Sequence, residues 1–490
     1  MSHVTVFLSF ILFLPVFLLA QSNPKFEDYF MDKTMRIDYF HIGDNEEEFI
    51  TIDRIYQQGI WAGNLKNLID PFNLGAYAIR VYDSESEQLI YSKGFSTYFG
   101  EYRTTVPASK GIKRTYHESA LIPFPKKKIR FSVEVRDRKN QLNQIFSQEV
   151  NPDDVMIIKE PPIQGVEVFY IVQNGDAHEK VDFAFIAEGY TLYERSKFKK
   201  DVEKFTAVFF EQEPYQSLKN KFNIYGVFKP SQDSGCDEPT HGSFKNTSLN
   251  ATFNSLGSER YLLTEDNKSL QNVAAHVPFD ALVIMVNTKR YGGGGIYNFF
   301  CTSTSDNQWN EYVFIHEIGH SFAGLADEYY TSSVAYSEFY PKGVEPLEPN
   351  ITALLEPGEL KWKKIADQNI EIPTPWEKED FDSMDVAYQK VRTELNEKIA
   401  RLNRENAYED QIKAAEEESE RLSREHAEKM DNYLKKSKYF GKVGAYEGAG
   451  YSSKGLYRPM LDCIMFSKGK KPYCKVCEEA IIKVIDYYNM

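Results

Sequence analysis

The chain has 490 residues and a formal net charge of −14, with 42% apolar and 14% aromatic residues. That length allows two or three domains with sizeable cores, and the acidic balance excludes the basic footprint that nucleic-acid binding requires. Five cysteines cannot all pair within one chain, which excludes a disulfide scaffold.

Residues 1–20 read as a signal peptide: an apolar run from Val6 ends at a small residue, Ala20, and a polar switch Gln21-Ser22-Asn23 follows. No cysteine follows the run to take a lipid anchor, and no other stretch reaches transmembrane length. The expected destination is the periplasm, the cell surface or the outside, with no stable membrane insertion after signal removal. From 24 to 155 the text is short alternating strands rich in aromatics. Ala76–Asp83 with Leu89–Ser92, and Ile129–Arg136 with Ile145–Val150, read as hairpins across polar turns. Repeated strands without helical runs predict a β-sandwich accessory domain. The proline-bearing stretches Asn151-Pro-Asp-Asp and Glu160-Pro-Pro-Ile mark its end.

From 160 to 490 strands alternate with helices. Val181–Ala187 reads as a buried strand, followed by an amphipathic helix with Phe198, Val202, Phe205 and Phe209 on one side. Two more strands, Phe222–Phe228 and Ala281–Val286, precede Arg290-Tyr291 and four glycines ending at Gly295. No lysine or Ser/Thr follows those glycines at phosphate-loop spacing, so they read as a sheet edge beside a cleft, where an extended peptide could pair by strand addition.

Next comes H-E-x-x-H, at His316, Glu317 and His320, inside the apolar run Tyr312–Ile315. Positions i and i+4 share a helix face, so both imidazoles can reach one zinc ion, and Glu317 stands where a general base for an activated water belongs. Catalytic zinc takes three protein ligands and keeps one position open. The third is expected to be Asp327, three residues after Gly324, which would end the helix in a left-handed conformation. Glu328 is its rival, and a glutamate from a more distant helix is a further possibility. Residues 377–437 carry apolar positions every three or four residues amid dense mixed charge, broken near Asn406. They read as a helical hairpin inserted in the domain, although one long helix also fits. Near the C-terminus, Cys474-Lys-Val-Cys477 and Cys463 are expected to form a local disulfide.

The segment His316–Tyr329 resembles the signature of the IgA-peptidase family of metallopeptidases, a metzincin-like group found largely in bacteria. Further blocks agree: Asp182 through Tyr190, Pro230–Gly235, Tyr291–Gly295 and Glu447–Pro459. The spacing is also similar to that of metzincins, with the glycine one residue late. The resemblance implies a multidomain α+β chain: an N-terminal β-sandwich, then a metzincin-like α/β zinc peptidase domain. Residues 377–437 have no counterpart in it. It further implies one catalytic Zn²⁺, a protein or peptide substrate, and a Met-turn under the zinc ligands, for which Met465 is preferred to Met460. Phe466, next in sequence, cannot hydrogen-bond, so Tyr457 or Arg458 is the candidate oxyanion stabiliser. The competing expectation is a catalytically weak or inactive surface protein that binds glycan or protein through the sandwich and the helical insert. The family name does not imply that this chain cuts immunoglobulin.

Overall fold

The computed structural model describes residues 23–331, 339–356 and 358–489. The signal-peptide segment lies outside the described residues. Among the described residues, no helix is long and apolar enough to cross a membrane.

Seven strands build the N-terminal part: β1 (Phe30–Gly43), β2 (Glu48–Gln57), β3 (Tyr77–Asp83), β4 (Leu89–Phe95), β5 (Arg114–Pro125), β6 (Ile129–Arg136) and β7 (Leu142–Val150). They form two antiparallel sheets of order β2-β1-β5 and β4-β3-β6-β7. Both hairpins read from the sequence are present, with Tyr77 opposite Phe95 and Ile129 opposite Val150. Every second residue points inward, so Ile37 and Tyr39 of one sheet share a core with Ile79, Val81, Phe131 and Val133 of the other. Full burial of each such side chain contributes roughly 1.5–3 kcal/mol.

The second part is built on β8 (Glu167–Val172), β9 (Val181–Glu188), β10 (Phe222–Phe228), β11 (Ala281–Val286), β12 (Gly293–Ile296) and β13 (Phe300–Thr304), in the order β12-β13-β11-β9-β10-β8. The four inner strands run parallel, and the two edges, β8 and β12, run antiparallel to them. All eight residues of β9 are buried, as a parallel strand covered on both faces must be. Phe183 and Phe185 face helix Arg195–Glu211, which offers Phe198, Val202, Phe205 and Phe209, and helix Asn310–Ala323, which offers Phe314. Ala184 and Ile186 face the opposite way, toward the N-terminal sheets and helix Asn267–Ala274.

Residues 378–434 form two helices, Lys378–Arg404 and Glu409–Leu434, packed on each other, with the break at Asn406 in a left-handed conformation (φ 49°). A small hairpin, β14 (Tyr446–Ala449) with β15 (Ser452–Arg458), and the C-terminal helix Lys475–Tyr488 complete the chain. The expected disulfide is absent: all five cysteines are free. The Cys474 and Cys463 sulfurs lie 3.4 and 3.9 Å from that of Cys477, far beyond the ~2.05 Å of an S–S bond.

Candidate functional site

Helix Asn310–Ala323 is apolar on almost every side, and that fixes its place. Phe314 packs between Phe185 and Phe205, and the helix lies along β12 and β13. Gly324 ends it in the left-handed conformation (φ 61°), a geometry that a Cβ disfavours. Its N–H donates to the His320 carbonyl at 3.0 Å, and the chain then reverses toward the histidines.

Those histidines are oriented from behind. Nδ1 of His316 lies 3.0 Å from the Ile464 carbonyl, and Nδ1 of His320 lies 2.6 Å from that of Leu325. A carbonyl can only accept, so each Nδ1 carries the proton and each Nε2 presents a lone pair. The two Nε2 atoms are 3.1 Å apart, and Asp327 Oδ1 sits 2.9 and 3.2 Å from them. That buried Oδ1 has no hydrogen-bond partner. With each Nε2 deprotonated, three electron-pair donors converge, the donor set and spacing that a divalent cation requires. Burial pushes the His320 pKa down, yet the Asp327 carboxylate outweighs it and draws the value up to about 9. The site demands positive charge.

Glu317 lies in the same cleft, and burial raises its carboxyl pKa although both histidines pull the other way. It abuts the edge strand: a Cβ on Gly295 would fall 2.6 Å from the Glu317 carbonyl oxygen and 3.2 Å from its Oε2. Met465 is fully buried with its sulfur against Gly319, one residue before His320. The Glu328 side chain turns away from the histidines toward Asn350 and the cysteines, at 3.1 Å from Asn350 Nδ2 and 3.3 Å from Cys477 Sγ.

The proposed oxyanion residues lie elsewhere. Arg458 is completely buried, donating to the Gly448 carbonyl at 2.7 Å and stacked 3.9 Å from the Phe466 ring, and neither it nor Tyr457 lines the cleft. The polar groups that do reach it include Arg260, Tyr329 and Tyr451. Arg260 Nη2 donates to the Tyr329 hydroxyl at 3.0 Å, the Tyr329 ring stacks beside His316, and the Tyr451 hydroxyl donates to Asp327 Oδ2. Tyr329 stood inside the signature and was legible as a neighbour of the motif. Tyr451 stood inside the Glu447–Pro459 block without a distinguishing signal of its own, and Arg260 carried none.

The cleft holds about 590 Å³. The N-terminal part supplies one wall, including Leu74, Arg103 and Arg136. No curated protein matches the chain. Two family models do, and they meet the two halves described above: the peptidase M64 N-terminus over residues 25–147, and IgA peptidase M64 over residues 169–485. The histidine helix, its glycine stop and the cleft all lie within the second match, and the chain belongs to the IgA peptidase M64 family and is a peptidase.

Proposed function

We propose that this peptidase is an exported, zinc-dependent endopeptidase, with the ion held by His316, His320 and Asp327. The convergence of those three donors around a shared point, with a hydrogen-bond-orphaned Asp327 oxygen among them, carries the reading. Zinc in such a site supplies Lewis acidity, polarising a carbonyl and making a water acidic near neutral pH. Glu317, buried and raised in pKa, takes the proton of the attacking water and later delivers it to the leaving amine. The Tyr329 hydroxyl accepts from Arg260 and so keeps its own proton to donate to an oxygen that gains charge in the cleft. Met465 supports the helix from below, the place a Met-turn occupies. Strand β12 is at the sheet edge; the Leu262 amide donates to its Gly293 carbonyl at 3.3 Å, and the remainder of that edge suits an extended peptide backbone. The apolar leader at residues 1–20 supports export.

Replacing Glu317 with Ala tests the mechanism. The expected loss in kcat/KM on a peptide library is about 10²–10⁴-fold, the usual range for a general base, with bound zinc unchanged. Proteolysis that persists in that variant, or in chelator-treated protein, rejects the assignment. A chain that holds zinc but cleaves nothing in any library supports the rival binding role.

A further inference from the structure

Behind the histidine site lies a second convergence of metal-binding atoms. The side chains of Cys463, Cys474, Cys477 and Glu328 bring their ligand atoms within 4.8 Å of one another, and all four residues are buried. We propose that these four residues bind a second zinc ion, structural rather than catalytic. A regular tetrahedron with Zn–S bonds of ~2.3 Å and a Zn–O bond of ~2.0 Å has S···S edges of ~3.8 Å and S···O edges of ~3.5 Å. The corresponding S···S separations are 3.4 Å (Cys474 to Cys477) and 3.9 Å (Cys463 to Cys477). The S···O separations from Glu328 Oε1 are 3.3 Å (Cys477) and 3.7 Å (Cys474). These four of the six edges bracket the ideal values, and the other two lie within 4.8 Å.

Burial pushes the Cys463 and Cys477 thiols up, but backbone donors and a helix N-terminus suit metal-bound thiolates there. The amides of Cys474 and Met465 donate to Cys463 Sγ at 3.1 and 3.4 Å. Cys474 caps the C-terminal helix and Cys477 lies in its first turn, where the helix dipole stabilises negative charge. Glu328 is wholly inaccessible to solvent, and its Oε2 has no hydrogen-bond partner, a costly arrangement for a carboxyl group unless something else satisfies it. A three-thiolate, one-carboxylate tetrahedron suits zinc among the common ions. Burial of all three thiols argues against a redox role for the C-x-x-C pair, since no partner disulfide can reach them.

The ion would join three separate segments. Glu328 follows Asp327 directly, and its amide donates to the Met465 carbonyl at 2.8 Å. Cys463 stands two residues before Met465, and the C-x-x-C anchors the last helix. One tetrahedral centre thus fixes the loop that presents Asp327, the turn under the histidines and the chain terminus.

Zinc K-edge X-ray absorption and metal analysis of the full-length protein, loaded with Zn²⁺ and desalted, test this. The expected result is about two zinc ions per chain and a sulfur shell at ~2.3 Å. In His320→Ala the stoichiometry should fall to about one, and the remaining ion should show a sulfur-dominated shell. Cys477→Ser should lose that shell; because this variant could also misfold, the wild-type spectrum is the deciding measurement. Zinc surrounded only by nitrogen and oxygen in the wild type overturns the proposal. So does a disulfide among the three cysteines in non-reducing mass mapping. Since the His320→Ala spectrum reads the sulfur site alone, failure of the peptidase mechanism and failure of this site are separable.

Discussion

The two oxygens of Asp327 face different partners: Oδ1 meets the histidine Nε2 atoms, and Oδ2 accepts the Tyr451 hydroxyl. Tyr451 reaches that oxygen from a two-residue turn, Gly450-Tyr451, between the paired residues Ala449 and Ser452. Both turn residues have positive φ, 53° and 62°, the geometry of a type I′ hairpin turn. A tyrosine in that region costs roughly 1–2 kcal/mol against glycine, and such strain is tolerated where the surroundings hold it in place. Here the Tyr451 amide donates to the Tyr329 carbonyl at 3.1 Å and the Gly450 amide to the Asp327 carbonyl at 3.0 Å. The hydroxyl therefore serves to aim a carboxylate. Tyr451→Phe should remove one bond to a charged group, worth about 1.5–3 kcal/mol, and weaken zinc binding roughly 10–100-fold. Competition with a chromogenic chelator measures it, and an unchanged zinc affinity refutes the aiming role. Tyr451 lies inside the Glu447–Pro459 block, but its role was not legible there, because it stands 124 positions from its partner. The Gly324 spacing favoured Asp327 over Glu328, but spacing alone does not orient either side chain. Only the reversal after Gly324 decides which of two adjacent carboxylates faces the histidines.

Among elements, the histidine helix and strand β12 define each other. The helix was legible in full from its apolar run, its i, i+4 histidines and its glycine stop, all of which are local signals. The strand was legible only as a glycine-rich edge. Its place at the end of the sheet depends on pairing with β13, which sequence alone does not encode. What the run of glycines permits is approach: a Cβ at Gly295 would lie 3.0 Å from His320 Cβ and closer still to the backbone of Glu317. Gly295→Ala must push the edge strand from the helix, and overpacking of this kind costs about 1–3 kcal/mol. We expect a lower melting temperature and a disproportionate loss of kcat, since the strand and Glu317 move together. Gly358→Ala, with open space around it, is the control and should be neutral in both. A Gly295→Ala enzyme with wild-type melting and turnover contradicts the packing argument.

Over the whole molecule, the two matched regions share apolar cores rather than sitting apart. Ile186, Tyr225 and Ile284 of the central sheet pack in the same cluster as Ile37, Ile79 and Phe131 of the N-terminal sheets. Buried Arg36 clamps Asp38 with two 2.6 Å bonds and reaches Asn272 Oδ1 of the second part at 2.8 Å. At this seam sits Asp182, on β9, wholly inaccessible to solvent. Its Oδ1 accepts from Asn223 Nδ2 at 2.8 Å and from the Tyr225 hydroxyl at 3.1 Å, while Oδ2 has no partner. Burial raises its pKa from the ordinary 3.8 to about 7, against those two hydrogen bonds. Asp280, whose Oδ2 accepts the Asp182 amide at 2.9 Å, is raised too, by burial and then by the Asp182 charge. Lys93 of β4 is held down by burial while the Asp280 and Asp70 carboxylates pull it up. Between pH 3.8 and about 7 the unfolded chain releases a proton from Asp182 that the folded chain keeps. The unfolded state then binds fewer protons, so this group's contribution to stability falls as pH rises through that window and is flat above it. The slope can reach about 1.4 kcal/mol per pH unit. Asp182→Asn keeps the neutral shape and removes the ionisation. Its melting temperature should therefore gain on the wild type from pH 5 to about 7 and level off above, by calorimetry of both proteins in the same buffers. A difference that stays constant or shrinks over that range shows that Asp182 ionises normally in the folded protein.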